Sequence, residues 1–260
     1  MARILTVANQ KGGVGKTTTA INLAASLSVM ERKTLLVDLD PQANATSGLC
    51  GAAGGDQERN VYRVLMGEIP VGEAIRGTEL PFLFILPASP DLIGAEIELV
   101  TMESRERRLA EALAPVAGEY EVIIIDCPPS LGLLTVNALC AANTVLIPLQ
   151  CEYYALEGLS SLFRTIDRIR EGMNRALEVE GVVLTMFDAR NNLAHQVAQE
   201  AREILKSQVF QTVIPRNVRL SESPSYGKPA LLYAVSSRGA QSYLELAREM
   251  VSRWNERATP

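Results

Sequence analysis

The stretch "KGGVGKTT" (Lys11–Thr18) follows closely on a short β-branched run, Ile4–Ala8, and leads into a segment of helical period, Thr17–Val29. Gly12, Gly13 and, across Val14, Gly15 let the backbone curl so that successive N–H groups turn inward. The helix behind them aims the positive end of its dipole at the same point. Such a loop receives a polyanion. Its strand and helix can bury their apolar sides only within a sheet covered on both faces, which makes the chain an α/β protein.

The rest of the sequence keeps the alternation. Strands are expected at Thr34–Asp38, Phe82–Leu86, Val122–Asp126, Thr144–Pro148, Gly181–Phe187 and Val209–Ile214, and helices at Arg105–Ala117, Tyr154–Glu171 and Leu193–Lys206. "EVIIID" and "NTVLIPL" are apolar on both faces, as central parallel strands must be. No Pro/Ser-rich linker, long charge block or fixed-period repeat interrupts the pattern, so residues 1–260 read as a single domain. In open sheets of this kind ligands sit at the carboxyl ends of the strands.

Within the loop, Lys16 is placed to reach β- and γ-phosphates and the Thr17 hydroxyl to ligate Mg²⁺, with Thr18 continuing the amide cradle. The general pattern GxxxxGK[ST] nevertheless fails, because Gln10 stands five positions before Gly15. What stands instead is KGGxGK[ST]. This variant resembles the deviant Walker A motif of the ParA/MinD family, and the resemblance extends over essentially the whole chain. It implies a three-layer P-loop NTPase fold, with a mostly parallel central sheet flanked by helices, and ATP and Mg²⁺ as cofactors. It also implies that Lys11 crosses a homodimer interface to touch the partner's nucleotide, adding positive charge where negative charge develops.

Two further segments supply carboxylates. In "LLVDLDPQANATSGL", Asp38 and Asp40 are two apart and share one side of an extended chain, where their repulsion calls for a nearby cation. Asp126 ends the apolar strand of "EVIIIDCPPSLG", in the position of a Walker B acid able to hold Mg²⁺ through water. The resemblance implies that Asp40 orients the attacking water and that Asp38 supports the Mg²⁺ network. Asp-Pro is also ordinary turn chemistry, and a strand-terminal acid can equally cap the next helix. Cys127 reads as a small core residue, and "PPS" resembles the family's second switch segment.

"LTMFDARNN" and "VIPRNVRLSESPSYGKP" start where strands finish and form the expected walls of a base pocket. The resemblance puts Pro215 and Asn217 near adenine, and Met186 fits there or in the core. The same stretches carry Arg190, Arg216 and Arg219, joined by Arg202 and Lys206. At the positions of Arg190 and Arg219, partition ATPases of this type are implied to hold DNA phosphates without reading bases. The same arginines could instead cap helices and solvate a surface. With a net charge of −5, nucleic-acid contact must be confined to such a patch.

Composition narrows the remaining classes. The four cysteines form no CxxC pair, His195 has no catalytic companion, "MARILTVANQ" is too quickly polar for a signal peptide, and no apolar run approaches a membrane span. A cytoplasmic, nucleoid-associated protein without a membrane partner is expected. The carboxyl-terminal segment lines up Tyr243, Leu244, Ala247, Met250, Val251 and Trp254 at helical spacing, while its polar side mixes both charges, unlike the basic tail of MinD-type relatives. The resemblance is thus strongest to Soj-type, short ParA proteins. It implies an ATP-sandwich homodimer, nonspecific double-stranded DNA, and a ParB-like protein that stimulates hydrolysis to drive chromosome or plasmid segregation. Because the sequence starts at the first strand, no amino-terminal operator-reading domain is expected. The alternatives are a MinD-like ATPase, an ATPase positioning other cargo, and an iron–sulfur reductase of the nitrogenase iron-protein type, whose cluster cysteines are not matched.

Overall fold

The computed structural model describes residues 2–51, 58–152 and 155–258. Its strands are β1 (Arg3–Val7), β2 (Thr34–Asp38), β3 (Arg76–Gly77), β4 (Leu83–Leu86), β5 (Val122–Asp126), β6 (Thr144–Gln150), β7 (Glu178–Phe187) and β8 (Val209–Pro215). They join one sheet in the order β3-β4-β2-β5-β1-β6-β7-β8. Every neighbouring pair is parallel except β3 with β4. β1 therefore lies at the centre, and its carboxyl end delivers the glycine loop between the ends of β5 and β6.

The helices are α1 (Lys16–Val29), α2 (Asn44–Cys50), α3 (Val61–Met66), α4 (Val71–Ala74), α5 (Leu92–Glu98), α6 (Arg108–Leu113), α7 (Leu133–Ala141), α8 (Ala155–Gly172), α9 (Asn192–Leu205), α10 (Val218–Glu222), α11 (Ala230–Tyr233) and α12 (Arg238–Ala258). Alternation along the strands assigns them to layers. Leu5, Val7, Leu36, Ile124 and Leu146 face one side and pack with Leu23 and Leu27 of α1 and Leu246 and Met250 of α12. Leu35, Val37, Ile123 and Ile125 face the other side, where Leu65, Leu92, Leu109 and Leu134 cover them. Val145 and Ile147 continue that second face under Leu162 and Ile166 of α8 and Val197 of α9. The three-layer, mostly parallel architecture is the one expected.

Three segments depart from the sequence pattern. The helix expected over Arg105–Ala117 is reduced to α6, because the Asn137 side chain donates to the Arg105 carbonyl at 2.7 Å and accepts the Leu109 N–H at 3.1 Å, and Pro115 offers no N–H to continue it. β7 starts at Glu178 rather than Gly181; its two acids disguise it, yet Glu180 is buried between Arg257 at 3.4 Å and Arg3 at 3.9 Å. The two-residue β3 carries no pattern to recognise. α8 begins as expected to within a residue, Tyr154 lying outside the described residues. On α12, Tyr243, Ala247, Met250 and Trp254 are buried and Leu246 joins them. Among the described residues, no helix is long and apolar enough to cross a membrane.

Candidate active site

The glycine loop is left-handed at Gly13 (φ +75°) and Gly15 (φ +88°), a conformation that side-chain-bearing residues adopt at a cost. Its shape is pinned from both sides. Asn9 accepts the Lys11 N–H at 3.0 Å and donates to the Pro148 carbonyl at 2.8 Å, while the Thr185 hydroxyl donates to the Val14 carbonyl at 2.8 Å. Asn9 and Thr185 were not singled out from the sequence. An asparagine directly after a strand, able to close an Asx turn, was the available signal for the first; nothing in the sequence marks the second.

The two loop lysines diverge. Lys16 is only 6% exposed and donates to the Lys11 carbonyl at 3.1 Å, inside the loop. Burial pulls its pKa down, opposed by the charges of Asp126, Cys127 and Asp40. Lys11 points outward, its Nζ 2.7 Å from Glu152 Oε2 with both side chains substantially exposed. Glu152, just past β6, also receives the Gln150 amide.

Asp38 and Asp126 are fully buried and sit side by side in the β2–β5 register. Asp38 accepts both the N–H and the hydroxyl of Thr46 at 2.7 Å and the Asp40 N–H at 3.2 Å. Burial outweighs these bonds and pushes its pKa up to about 6. Asp126 differs: both carboxylate oxygens are buried without a hydrogen-bond donor. Burial, then the Asp38 charge, raise its pKa well above the carboxylate range; the Thr17 hydroxyl beside it lowers it without reaching good bonding geometry. A buried carboxylate with idle oxygens next to a threonine hydroxyl is a donor set that fits a hydrated, hard cation such as Mg²⁺. Asp38, its oxygens engaged by Thr46, fits as a scaffold beside that position. Asp40 is 6% exposed and accepts the Gln42 N–H at 2.9 Å, closing the turn after β2. Cys127 is fully buried, and burial raises its thiol pKa, so it has no nucleophile's character.

A cavity of about 310 Å³ opens beside Gly15 and Thr18, large enough for a purine. Pro215, Asn217 and Met186 line it, and so do Arg216 and Tyr243, which the sequence did not assign there. Asn217 uses its oxygen to cap α10 through the Arg219 N–H at 3.0 Å. Tyr243, from the last helix, hydrogen-bonds Thr19 at 3.0 Å beside the cavity it helps to line.

The basic cluster is present but engaged. Arg190 clasps Asp188 through two nitrogens at 2.9 and 2.8 Å, holding that carboxyl below the ordinary range. Arg219 pairs with Glu222 at 2.7 Å, and Arg202 reaches the Gln211 carbonyl at 3.4 Å. Arg190 and Arg219 remain largely solvent-exposed, while His195 lies on the surface with its ring edge against Phe187.

Comparison with known proteins places these features. The family model described as an AAA domain matches residues 2–179. The chain is 59% identical over 253 residues to the chromosome partitioning protein ParA of Myxococcus xanthus, covering 97% of this chain and 89% of that one. It is 51% identical over 257 residues to the chromosome-partitioning ATPase Soj of Treponema pallidum, covering 99% of this chain and all of the other. Among solved structures, cobyrinic acid a,c-diamide synthase from Mycobacterium smegmatis, with bound ADP and magnesium, superposes with a TM-score of 0.84 at 38% identity over 98% of this chain and 96% of that chain.

Proposed function

The chain belongs to the ParA/Soj family of chromosome-partitioning proteins, and from that premise we propose that it hydrolyses ATP as a homodimer clasping two nucleotides. The dimer holds double-stranded DNA without reading its sequence and releases it after hydrolysis stimulated by a ParB-like partner. The observation that carries this reading is the divergence of the loop lysines. Lys16 is turned inward, where a phosphate oxygen would take the place of the Lys11 carbonyl. Lys11 stands on the exposed rim, free of its own loop, where it can serve a triphosphate held by a second copy.

The other residues take roles by their surroundings. The amides of Gly12 to Thr18 cradle the phosphates. Thr17 and Asp126 hold Mg²⁺, which when bound neutralises phosphate charge, and Asp38 secures the segment through Thr46. Asp40 orients the attacking water from the turn after β2, and Pro215 and Asn217 face the adenine. Arg190 and Arg219 contact DNA phosphates once they exchange their carboxylate partners. Partitioning is favoured over amide synthesis because identity is 59% to a protein named for the first and 38% to one named for the second. The MinD-like alternative is disfavoured because the apolar side of α12 is spent in the core.

Light scattering tests the dimer. The chain with a nonhydrolysable ATP analogue and Mg²⁺ is expected at twice the mass it has with ADP; equal monomer mass in both would defeat the reading.

A further inference from the structure

A second cavity, of about 440 Å³, opens at the amino ends of β1 and β5 beside the last turns of α12, at the opposite end of the sheet from the phosphate loop. Val122, Val251 and Trp254 supply its apolar lining, and Arg3, Arg32, Glu121 and Asn143 its polar groups. Arg3 shares the parity of Leu5 and Val7 along β1 and so faces α12, where its guanidinium lies over the Trp254 ring, 4.7 Å from the centroid. Among the described residues its ion partner is Glu180, whose Oε2 is 3.9 Å away, beyond hydrogen-bond reach. The fork of N–H donors is therefore left uncommitted.

Glu180 owes its place to a bulge. The β6–β7 register passes from Val145↔Val179 to Leu146↔Gly181, so Glu180 is the extra residue, and its carboxyl group turns toward α12 to meet Arg257 at 3.4 Å. Its Oε2 is buried without a hydrogen-bond partner, and so are Thr144 Oγ1, on the same side of β6 as Leu146, and Trp254 Nε1. Three idle polar atoms at one end of the helix–sheet contact mark a place that the chain's own side chains do not close. Asn143, adjacent in the lining, accepts the Ile4 N–H at 2.7 Å through its oxygen and keeps its amide nitrogen as a further donor. Arg32 is matched by Glu121 at 2.8 Å, whereas Arg3 and Arg257 share the single charge of Glu180, which leaves one positive charge in excess. Glu178, two residues earlier on β7, is exposed and does not line the cavity.

We propose that this cavity is a binding site for a small aromatic monocarboxylate, its carboxylate held by the Arg3 fork and the Asn143 amide and its ring lying among Val122, Val251 and Trp254. A planar guanidinium backed by an indole presents two parallel donors to a carboxylate, the geometry that favours this anion. The apolar lining gives the ring its burial, and the volume is that of a site for a small organic molecule. Glu121 and Glu180 repel a second negative charge, so the phosphates of a nucleotide are rejected. The site stands apart from the phosphate loop and does not rest on the ATPase reading.

Trp254 is the only tryptophan of the chain, so the full-length protein labelled with ¹⁵N gives one indole N–H resonance, and that resonance reports on the cavity directly. Titration with 2-naphthoate is expected to shift it saturably, and 2-naphthamide and inorganic phosphate to bind at least tenfold more weakly. Arg3→Gln is expected to weaken 2-naphthoate at least tenfold. Asn255→Phe, which places a ring at the exposed rim of the cavity, is expected to do the same and decides the matter if thermal melts show that Arg3→Gln does not fold. No saturable shift with 2-naphthoate, or equal affinity in wild type and the folded variants, would overturn the site. Equal binding of 2-naphthamide would remove the role of charge, and equal binding of phosphate the role of the ring; either would overturn the assigned ligand class. Displacement of 2-naphthoate by ATP and Mg²⁺ would place the probe in the nucleotide cavity and also overturn the proposal.

Discussion

Lys11 Nζ and Glu152 Oε2 stand 2.7 Å apart, tying the rim of the phosphate loop to the segment that follows β6. Because both side chains are exposed, at 40% and 49%, the pair contributes no more than about 1 kcal/mol to stability. Its position matters to the proposed function: it holds the Lys11 ammonium group on the exposed rim of the loop. Lys11→Ala is expected to retain nucleotide binding in calorimetry while losing partner-stimulated hydrolysis, and Glu152→Gln to leave the thermal midpoint within a few degrees of wild type. Normal stimulated turnover in Lys11→Ala would refute the crossing role.

Asp126 holds two buried oxygens without donors. Asp126→Asn replaces a buried acid that has no donor with a neutral side chain of the same shape, so the nucleotide-free protein should be about as stable as wild type. The same variant should lose most of the stabilisation that Mg²⁺ and ATP give together, which reaches about 2.7 kcal/mol at a hundredfold excess over Kd. Thermal melts with and without Mg²⁺–ATP read both effects; undiminished Mg²⁺-dependent stabilisation in Asp126→Asn would contradict the assignment.

Asp38 titrates near 6 in the folded protein because burial disfavours its charge. Its unfolded pKa is lower, near 3.9, so between these values the native state holds the proton more tightly. The stability due to this site is therefore complete below about pH 4 and is lost as pH rises through about 6. Asp38→Asn should flatten that part of the nucleotide-free stability profile, measured by denaturant melts from pH 4 to 8. An unchanged slope in the variant would show that Asp38 is not the titrating group.

Arg190 is matched by Asp188 on its own loop, so under the proposed function DNA phosphates would compete with an internal carboxylate. Asp188→Asn is expected to tighten DNA binding by the ATP-bound protein several-fold, and Arg190→Glu to abolish it while sparing dimerisation. For roughly three or four phosphates neutralised per dimer, log K should fall with log salt at a slope of about −3 to −4. Mobility shifts across a salt series test this, and unaltered shifts in both variants would move the DNA site elsewhere.

Much of the molecule was legible in the chain because its signals are local. The unbroken apolar run of "EVIIID" marks a strand buried on both faces wherever it sits, and "KGGVGKTT" curls at its glycines whatever surrounds it. Pro215 and Asn217, which the family resemblance puts near a base, line the cavity beside Gly15 and Thr18. The short β3 was not legible, since two residues carry no period, and neither was the true length of α6, which is set by Asn137 from another helix.

The sequence by itself determined the βαβ order, the polyanion loop and the family, since each depends on the types and spacing of near neighbours. The tertiary structure alone decided which carboxylate is idle and which is spent. Asp38 and Asp126 both end apolar strands, but only Asp38 meets Thr46, eight residues on and folded back over the sheet. It decided equally that Lys11 meets Glu152 and that the arginines meet Asp188 and Glu222. Burial and hydrogen-bond partners are properties of surroundings assembled from distant parts of the chain, and no pattern along one segment encodes them.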